Sequence, residues 1–350
     1  MKLMIVYGEP MKKENNHYLF CTTKEILKQK GYSEIDVDIQ ALKCKTADIR
    51  KYGRLGWFYI QYLQFMNAYH AVKRTNDGDI ILSQDFGTGR LCSFISVIKN
   101  KKRKIVALNC LQRRIGKSFT RFLEKKIDLI AWKNEYMITT VNTQNDIQYL
   151  AMPEYRKNKI YVMPDCFTPY EPVKRKIKYD CMTGGYANRD FHSFFEAAKQ
   201  RPQYRFCCIV GSYFDDTEYS IPSNVLIYRD VKESDFFKIM QESRIVCMPL
   251  KENVASGLVV VKNAISFEIP ILASNTFALA NYVPDNMKDL FLFERGNIQD
   301  YIDKMDRLLN VTEGEVKEKM QEVKRYCVKN YGKESTCRFL VEIMEDSKFF

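Results

Sequence analysis

The sequence predicts an α/β protein built as two doubly wound, Rossmann-like halves, and three observations carry that expectation. Short apolar runs of strand length alternate with amphipathic helical stretches from end to end, the pattern of parallel sheets wrapped by helices. The chain has 350 residues, against the roughly 100 to 200 residues of one typical domain. Near its middle, the segment from Met163 to Pro172 carries three prolines and runs into a basic stretch from Lys174 to Lys178, which reads as a linker.

Taken in order, the first half shows strand signals at Lys2 to Tyr7, Ile35 to Ile39, Ile80 to Ser83, Lys104 to Ala107, Leu129 to Trp132 and Ile160 to Met163. A second series begins at Tyr179 to Met182. It continues through Arg205 to Val210, Val225 to Tyr228, Ile245 to Met248, Ile269 to Ala273 and Leu290 to Phe293. The expected domains are therefore residues 1–170 and 171–333. In the closing stretch, 334–350, Phe339, Leu340, Ile343 and Met344 recur at helical spacing, so this segment is expected to return and pack on the first domain. Open parallel sheets bind ligands at the carboxyl ends of their strands, which places the expected site in a cleft between two such domains. The aromatic stretch from Trp57 through Tyr62, Phe65, Met66 and Tyr69 reads as a helix turned toward the core, with a share of it available to line an acceptor groove.

Composition narrows the function. With 46% hydrophobic residues the chain can fill ordinary cores and is not disordered as a whole. Its longest purely apolar runs fall far short of the ~18 residues that suggest a membrane span. The opening residues, Met1 to Gly8, are too short for the apolar region of a signal peptide and read as a first strand, which predicts a cytoplasmic protein. The 11 cysteines lie mostly in apolar strand-like stretches, as Cys181, Cys207, Cys208 and Cys247 do, and behave there as small hydrophobes rather than a disulfide framework. His17, His70 and His192 are scattered and no C-x-x-C pair occurs, so no metal site is expected.

Charge is unevenly placed. Residues 1–170 hold 29 Lys and Arg against 16 Asp and Glu, whereas 171–350 hold 26 against 27. The excess is densest between Lys99 and Lys133. There Lys101, Lys102, Arg103, Arg113, Arg114, Lys117 and Arg121 accompany Ile115, Phe119, Phe122 and Leu123 at helical spacing. A basic amphipathic helix of this kind suits an anionic membrane surface at about 1 kcal/mol per cation; the alternative is a solvated face with its apolar stripe in the core. The stretch lacks RNP-like aromatics, a helix-turn-helix pattern and zinc knuckles, so nucleic acid is not the expected partner.

Two apparent motifs fail. Gly116-Lys117-Ser118 would end a P-loop only if residue 111 were glycine, and it is leucine. Asp85-Phe86-Gly87 has no kinase catalytic-loop or glycine-rich partner; it reads as a strand-to-helix turn in which Asp85 either caps the helix or touches an acceptor. Three turns in the second half say more. Gly184-Gly185 leads through Asn188-Arg189-Asp190 into a helix, a strand stops at Gly211-Ser212, and Ser256-Gly257-Leu258 opens another helix. Glycines allow close backbone approach, helix N-termini present N–H donors to anions, and arginine brings a planar cation suited to phosphate.

The order of these turns on successive strands resembles the sugar-nucleotide half of GT-B glycosyltransferases, in particular glycosyltransferase family 4. The likeness covers roughly Tyr179 to Val283 and, more loosely, the first half. Gly185 matches the first glycine of the family's Gly-Arg turn, Arg189 its diphosphate-binding cation, Gly211 its Val-Gly turn and Pro249 its strand-end proline. Asn263-Ala264-Ile265-Ser266-Phe267-Glu268-Ile269-Pro270 matches the motif before the last strands, and Asn188-Arg189-Asp190 with Ser256-Gly257 looks like a capsule and exopolysaccharide subgroup. Anchored on Pro270, the family's paired glutamates fall on Ala255 and Asn263, and Tyr186 stands where the Gly-Arg arginine would be. Glu252 could supply a carboxylate if the loop is shifted.

The resemblance implies a retaining, metal-independent transferase. It would take a nucleoside-diphosphate sugar as donor substrate, with no cofactor, and pass the sugar to a lipid-linked or polysaccharide acceptor at the inner face of a membrane. Donor contacts would come from Gly8, Gly185, Asn188, Arg189, Gly211, Ser212, Ser256, Gly257, Leu258 and Asn263. Glu9, His17 and Asp85 would border the acceptor, with Arg189 and Asp85 as the catalytic pair. The rivals are a non-catalytic partner subunit with a degenerate donor site and a nucleotide-sugar epimerase on the same frame.

Overall fold

The computed structural model describes residues 1–8, 18–42, 49, 53–110, 119–150, 152–171, 175–185, 187–212 and 214–350, apart from the side chains at positions 54, 119–123 and 149. Its contacts divide the chain into two units, 1–165 with 333–350, and 166–332.

In the first unit, strands β1 (Lys2–Tyr7), β2 (Asp36–Ala41), β3 (Ile80–Ser83), β4 (Lys104–Ala107), β5 (Met137–Val141) and β6 (Ile160–Val162) form one parallel sheet in the order β2-β1-β3-β4-β5-β6. Helices α1 (Tyr18–Gln29), α2 (Gly53–Lys73), α3 (Phe86–Ile98) and α4 (Phe119–Ala131) connect the strands. Parallel strands covered on both faces are apolar throughout, and all four residues of β3 are buried. Side chains alternate between faces along β1. Leu3, Ile5 and Tyr7 join one core with Leu19 and Ile26, while Met4 and Val6 join another with Ala68, Cys92 and Trp132.

In the second unit, β7 (Tyr179–Gly184), β8 (Phe206–Val210), β9 (Val225–Arg229), β10 (Ser243–Met248), β11 (Ile271–Ser274) and β12 (Leu292–Phe293) are also parallel, in the order β12-β11-β10-β7-β8-β9. Helices α5 (Phe191–Gln200), α6 (Glu233–Gln241), α7 (Leu258–Ser266), α8 (Phe277–Ala280), α9 (Lys288–Phe291), α10 (Ile298–Asn310) and α11 (Glu313–Tyr331) follow. Cys181, Cys207, Cys208 and Cys247 are buried in this core, where burial pushes the Cys207 thiol up to about 12.

The last helix, α12 (Lys333–Asp346), belongs to the first unit. Cys337, Leu340, Val341, Ile343 and Met344 pack with Leu3, Ile5, Leu19 and Ile26. Polar ties flank that seam: Lys30 Nζ lies 2.6 Å from Glu345 Oε2, and Lys104 Nζ donates to the Phe349 carbonyl at 2.6 Å.

Three sequence expectations need correction. Leu129 to Trp132 is not a strand; it closes α4, and the strand that follows is β5. Four apolar residues fit a strand or the last turn of a helix equally well, and Ala131 and Trp132 are buried here as helix-end residues. The aromatic stretch in α2 is not turned inward as a whole, because Leu55, Trp57, Phe58, Tyr59, Tyr62 and Phe65 are exposed. Arg103 leaves the basic surface group. It is buried, its guanidinium pairs with Asp77 and bonds the Thr75 carbonyl, and its Nε donates to Thr75 Oγ1 at 3.0 Å.

Leu340→Ala tests the α12 seam. Deleting a fully buried leucine side chain is expected to cost the first unit about 2 to 5 kcal/mol, read as a lower urea midpoint for its unfolding with the second unit's transition unmoved.

Candidate functional site

Strand order decides where the second unit can bind a ligand. From β7 the chain steps to β8 and β9 on one side, whereas from β10 it steps to β11 and β12 on the other. The two connections therefore diverge above the carboxyl ends of β7 and β10, which opens a crevice there. The turn after β7 and the turn after β10 both occupy it.

These turns are zipped together by main-chain and amide bonds. Asp190 N donates to the Pro249 carbonyl at 3.0 Å and Lys251 N to the Asn188 carbonyl at 3.2 Å, leaving Arg189 and Leu250 as an isolated antiparallel bridge. Asn188, at φ 61°, exchanges two bonds with residue 252: Glu252 N donates to its Oδ1 and its Nδ2 donates to the Glu252 carbonyl, both at 2.9 Å. Asparagine tolerates this left-handed conformation better than most residues.

Arg189 sits under that bridge with its side chain buried. Its Nε donates to the Gly184 carbonyl at 2.8 Å, and its Nη1 donates to the Ala187 carbonyl at 2.7 Å and to Ser256 Oγ at 3.4 Å. The Ser256 hydroxyl donates to the same Ala187 carbonyl at 3.0 Å. One guanidinium thus ties the end of β7, its turn and the turn before α7. Gly185 makes this possible. Its φ is +111°, and a β-carbon there would run into the Arg189 guanidinium.

Helix α7 starts at Gly257, which is left-handed at φ 79° and supplies no side-chain cap. The N–H groups of its first turn are therefore not satisfied by a capping side chain, the usual basis of an anion site. Helix α5 differs, because Asp190 caps it: Ser193 N donates to Asp190 Oδ1 at 3.1 Å and Ser193 Oγ to Oδ2 at 2.5 Å. Of the two helix starts singled out by sequence, α5 already holds a carboxylate and α7 does not.

The remaining second-unit residues fall around this centre. Gly211 and Ser212 follow β8, and Ser212 N donates to Asp230 Oδ1 at 2.8 Å. Leu258 is buried and contributes its backbone rather than its side chain, while Asn263 is half-buried on α7. Glu252 is exposed.

In the first unit, Gly8 ends β1 beside Asp85, whose Oδ1 accepts from Thr88 N at 2.8 Å and caps α3. Among the described residues Asp85 Oδ2 and Thr88 Oγ1 are both buried without a hydrogen-bond partner, and a β-carbon on Gly8 would lie 2.8 Å from that Oδ2. Glu9, His17, Arg113, Arg114 and Lys117 lie outside the described residues, as does the side chain of Arg121. Lys101 and Lys102 are exposed. Among the described residues no three of His, Cys, Asp and Glu are grouped as a metal site would require.

Sequence reasoning missed several supports: the Ala187 carbonyl, Asp230, Ser274 Oγ accepting from Leu250 N at 2.9 Å, and Asn253 Oδ1 accepting from Phe277 N at 3.0 Å. Main-chain acceptors carry no residue signal, and lone Ser, Asn or Asp residues in loops resemble any turn residue.

Residues 187–327 match the family model described as Glycosyl transferases group 1. The matched span lies within the second unit, begins in the turn after β7 and takes in Arg189, Ser256, Gly257 and Asn263. No curated protein matches the chain. Among solved structures, S. aureus TarM in complex with fondaparinux, α-GlcNAc-glycerol and UDP is 16% identical, with a TM-score of 0.57 over 80% of this chain. This chain spans 58% of the TarM chain. Anabaena Alr3699/HepE in complex with UDP is 12% identical, with a TM-score of 0.61 covering 99% of this chain and 100% of that one. The lipopolysaccharide outer core galactosyltransferase WaaB is 13% identical, at 0.55, covering 99% of both chains. At such identities the likeness is one of fold, and it agrees with two doubly wound α/β units of the GT-B class.

Gly185→Ala tests whether the second unit depends on the close approach of backbone and guanidinium. A β-carbon at φ +111° is expected to cost about 1 to 3 kcal/mol in strain, seen as a lower melting temperature of the second unit.

Proposed function

We propose that the protein is a retaining, metal-independent glycosyltransferase that moves a sugar from a nucleoside diphosphate to a glycan or lipid-linked acceptor at the cytoplasmic face of a membrane, with a role in capsule or exopolysaccharide synthesis. The observation that carries this reading is the pairing of an uncapped α7 N-terminus with the buried Arg189 guanidinium at the divergence of β7 and β10. Both features favour negative charge in one place, and a diphosphate leaving group supplies it. Solved neighbours hold UDP, and WaaB is a lipopolysaccharide outer core galactosyltransferase by its description; these support the donor class and the kind of acceptor.

In the proposed reaction the bond from the sugar's anomeric carbon to the diphosphate breaks, and its electron pair stays on the diphosphate oxygen. Amide dipoles at the start of α7 and the Arg189 cation stabilise the charge that develops, and because they are already fixed in place they need no reorganisation as it forms. Asn263 would hydrogen-bond a hydroxyl of the donor through its amide. On the acceptor side, Asp85 lies beside Gly8 and would orient the attacking hydroxyl, whose oxygen forms the new bond to the anomeric carbon while its proton passes to the departing diphosphate oxygen.

A second reading, a partner subunit that binds no donor, is favoured by Ala255 and Asn263 standing where the resembling family has carboxylates. The two readings part on one measurement. The glycosyltransferase reading expects a member of a panel of nucleotide sugars to raise the melting temperature and to yield free nucleoside diphosphate with acceptor. It further expects Arg189→Ala to lower turnover by about 100-fold or more, with Arg189→Lys intermediate. No stabilising nucleotide sugar points to the partner subunit, and unchanged turnover in Arg189→Ala removes the proposed role of the cation. Conversion of the sugar without transfer identifies an epimerase.

A further inference from the structure

The second unit carries a cavity at the end of its sheet opposite to Arg189. Its volume is about 650 Å³, within the range of small-molecule sites. Arg175 and Ile177 lie just before β7, Ile245 near the start of β10 and Pro270 just before β11, so the cavity sits at the amino edge of the strands. The Arg189 crevice is at their carboxyl edge, a strand length of about 20 Å away. The two are therefore separate places on one unit.

The walls are apolar. Ile245, Leu308, Leu309 and Val316 are buried side chains from β10, the last turn of α10 and the first turn of α11. Phe267, at the end of α7, is half-buried; its ring is stacked on Tyr170 with centres 5.2 Å apart and meets Phe237 edge-on at 6.0 Å. A planar base finds no free ring there, so these walls do not favour a nucleotide.

The mouth is cationic. Arg175 Nε donates to the Gln241 carbonyl at 3.1 Å, and its Nη2 donates to the Ser243 carbonyl. Arg244 Nη2 donates to the Leu309 carbonyl at 2.6 Å, and its Nη1 lies 3.5 Å from Asp180 Oδ1. Lys317 is exposed beside them. Of the carboxylates that line the cavity, Glu268 is paired with Lys324 at 3.1 Å, and Glu313 is exposed in the first turn of α11, where the helix dipole favours it.

Arg175 shows what is missing. Two main-chain carbonyls fix its orientation but bring no full negative charge, and among the described residues no carboxylate forms an ion pair with it. Burial presses its pKa down against the opposing pull of Glu313, although an arginine stays charged all the same. A partly desolvated cation without a counter-ion is costly. An anion in the cavity would remove that cost while an apolar body covered the walls.

We infer that this cavity binds an amphipathic anion, a small molecule with an apolar body against Ile245, Leu308 and Val316 and one carboxylate or phosphate on the Arg175 guanidinium. The Nη1 donors that the two carbonyls do not take suit either group. The site shares no residue with Arg189, Ser256 or Asn263 and goes beyond the donor reading.

The test is calorimetric titration of the full chain with decanoate, decyl phosphate and decanol, three probes that share an apolar chain and differ in head group. Decanoate or decyl phosphate is expected to bind one equivalent and to raise the melting temperature of the second unit, with decanol at least tenfold weaker. Arg175→Gln removes the cation. Ile177→Asp, at a rim position 38% exposed, adds a negative charge and leaves the core untouched, which keeps the test valid where Arg175→Gln unfolds. Each variant is expected to weaken anion binding by about tenfold or more. Preference for either anion supports the inference and names the head group. No binding by either anion overturns it, as does decanol binding equally well, or anions that bind both variants like the wild type. Nucleotide-sugar stabilisation, read separately on the same preparations, decides the donor proposal alone.

Discussion

The second unit is organised around a buried cation. Placing a guanidinium out of water is costly unless it is hydrogen-bonded, and Arg189 meets that cost with carbonyls of its own turn and a serine from the next. The buried Gly184 carbonyl takes the Nε hydrogen, and the Ala187 carbonyl is shared between the guanidinium and the Ser256 hydroxyl. The guanidinium also lies close to the left-handed start of α7: a β-carbon on Gly257 would stand 3.8 Å from Arg189 Nη1. Cation and positive helix end are of like sign and each raises the cost of the other. An anion placed between them would relieve both.

The same arrangement fixes the loops where the resembling family has its carboxylates and this chain has Ala255 and Asn263. Asn188 spends its amide on the Glu252 main chain and Asp190 spends its carboxylate on the α5 N-terminus. Both act as structural ties. Ala255 leaves the approach to α7 free of negative charge, which lowers repulsion toward a diphosphate but withdraws an acceptor for sugar hydroxyls. Under the proposed donor reading, hydrogen bonds to the sugar would come from main-chain groups and Asn263, neutral partners whose bonds are individually weaker than those of a carboxylate.

Much of the fold was legible because parallel strands covered on both faces are short, apolar and stopped by turns. Val6-Tyr7-Gly8 and Ile209-Val210-Gly211 announce strand ends directly. The Leu129 to Trp132 run misled because a helix closing against a core shows the same few apolar residues. Arg103 was misplaced for a different reason: arginine counts as surface charge by composition, and nothing local reveals that Asp77 and Thr75 will receive it. The exposed face of α2 inverts the usual inference from aromatic spacing, since periodicity reports one face of a helix without saying which side meets water. In the site, glycine and arginine positions were readable from turn chemistry. The ties through Ala187, Asp230 and Ser274 were not, because a main-chain oxygen or a lone loop residue has no pattern to find.

The two sheets present opposite chemistry at equivalent places. In the first, β1 steps to β2 on one side while β3 steps to β4 on the other, so the divergence lies between β1 and β3, where Gly8 meets Asp85. The oxygens there, Asp85 Oδ2 and Thr88 Oγ1, are buried without partners, and a carboxylate oxygen accepts but does not donate. In the second, the divergence between β7 and β10 offers a guanidinium and uncapped amides, which only donate. A fold that repeats one architecture twice thus places different hydrogen-bonding groups at its two switch points, a carboxylate and a hydroxyl in one and a guanidinium with main-chain amides in the other.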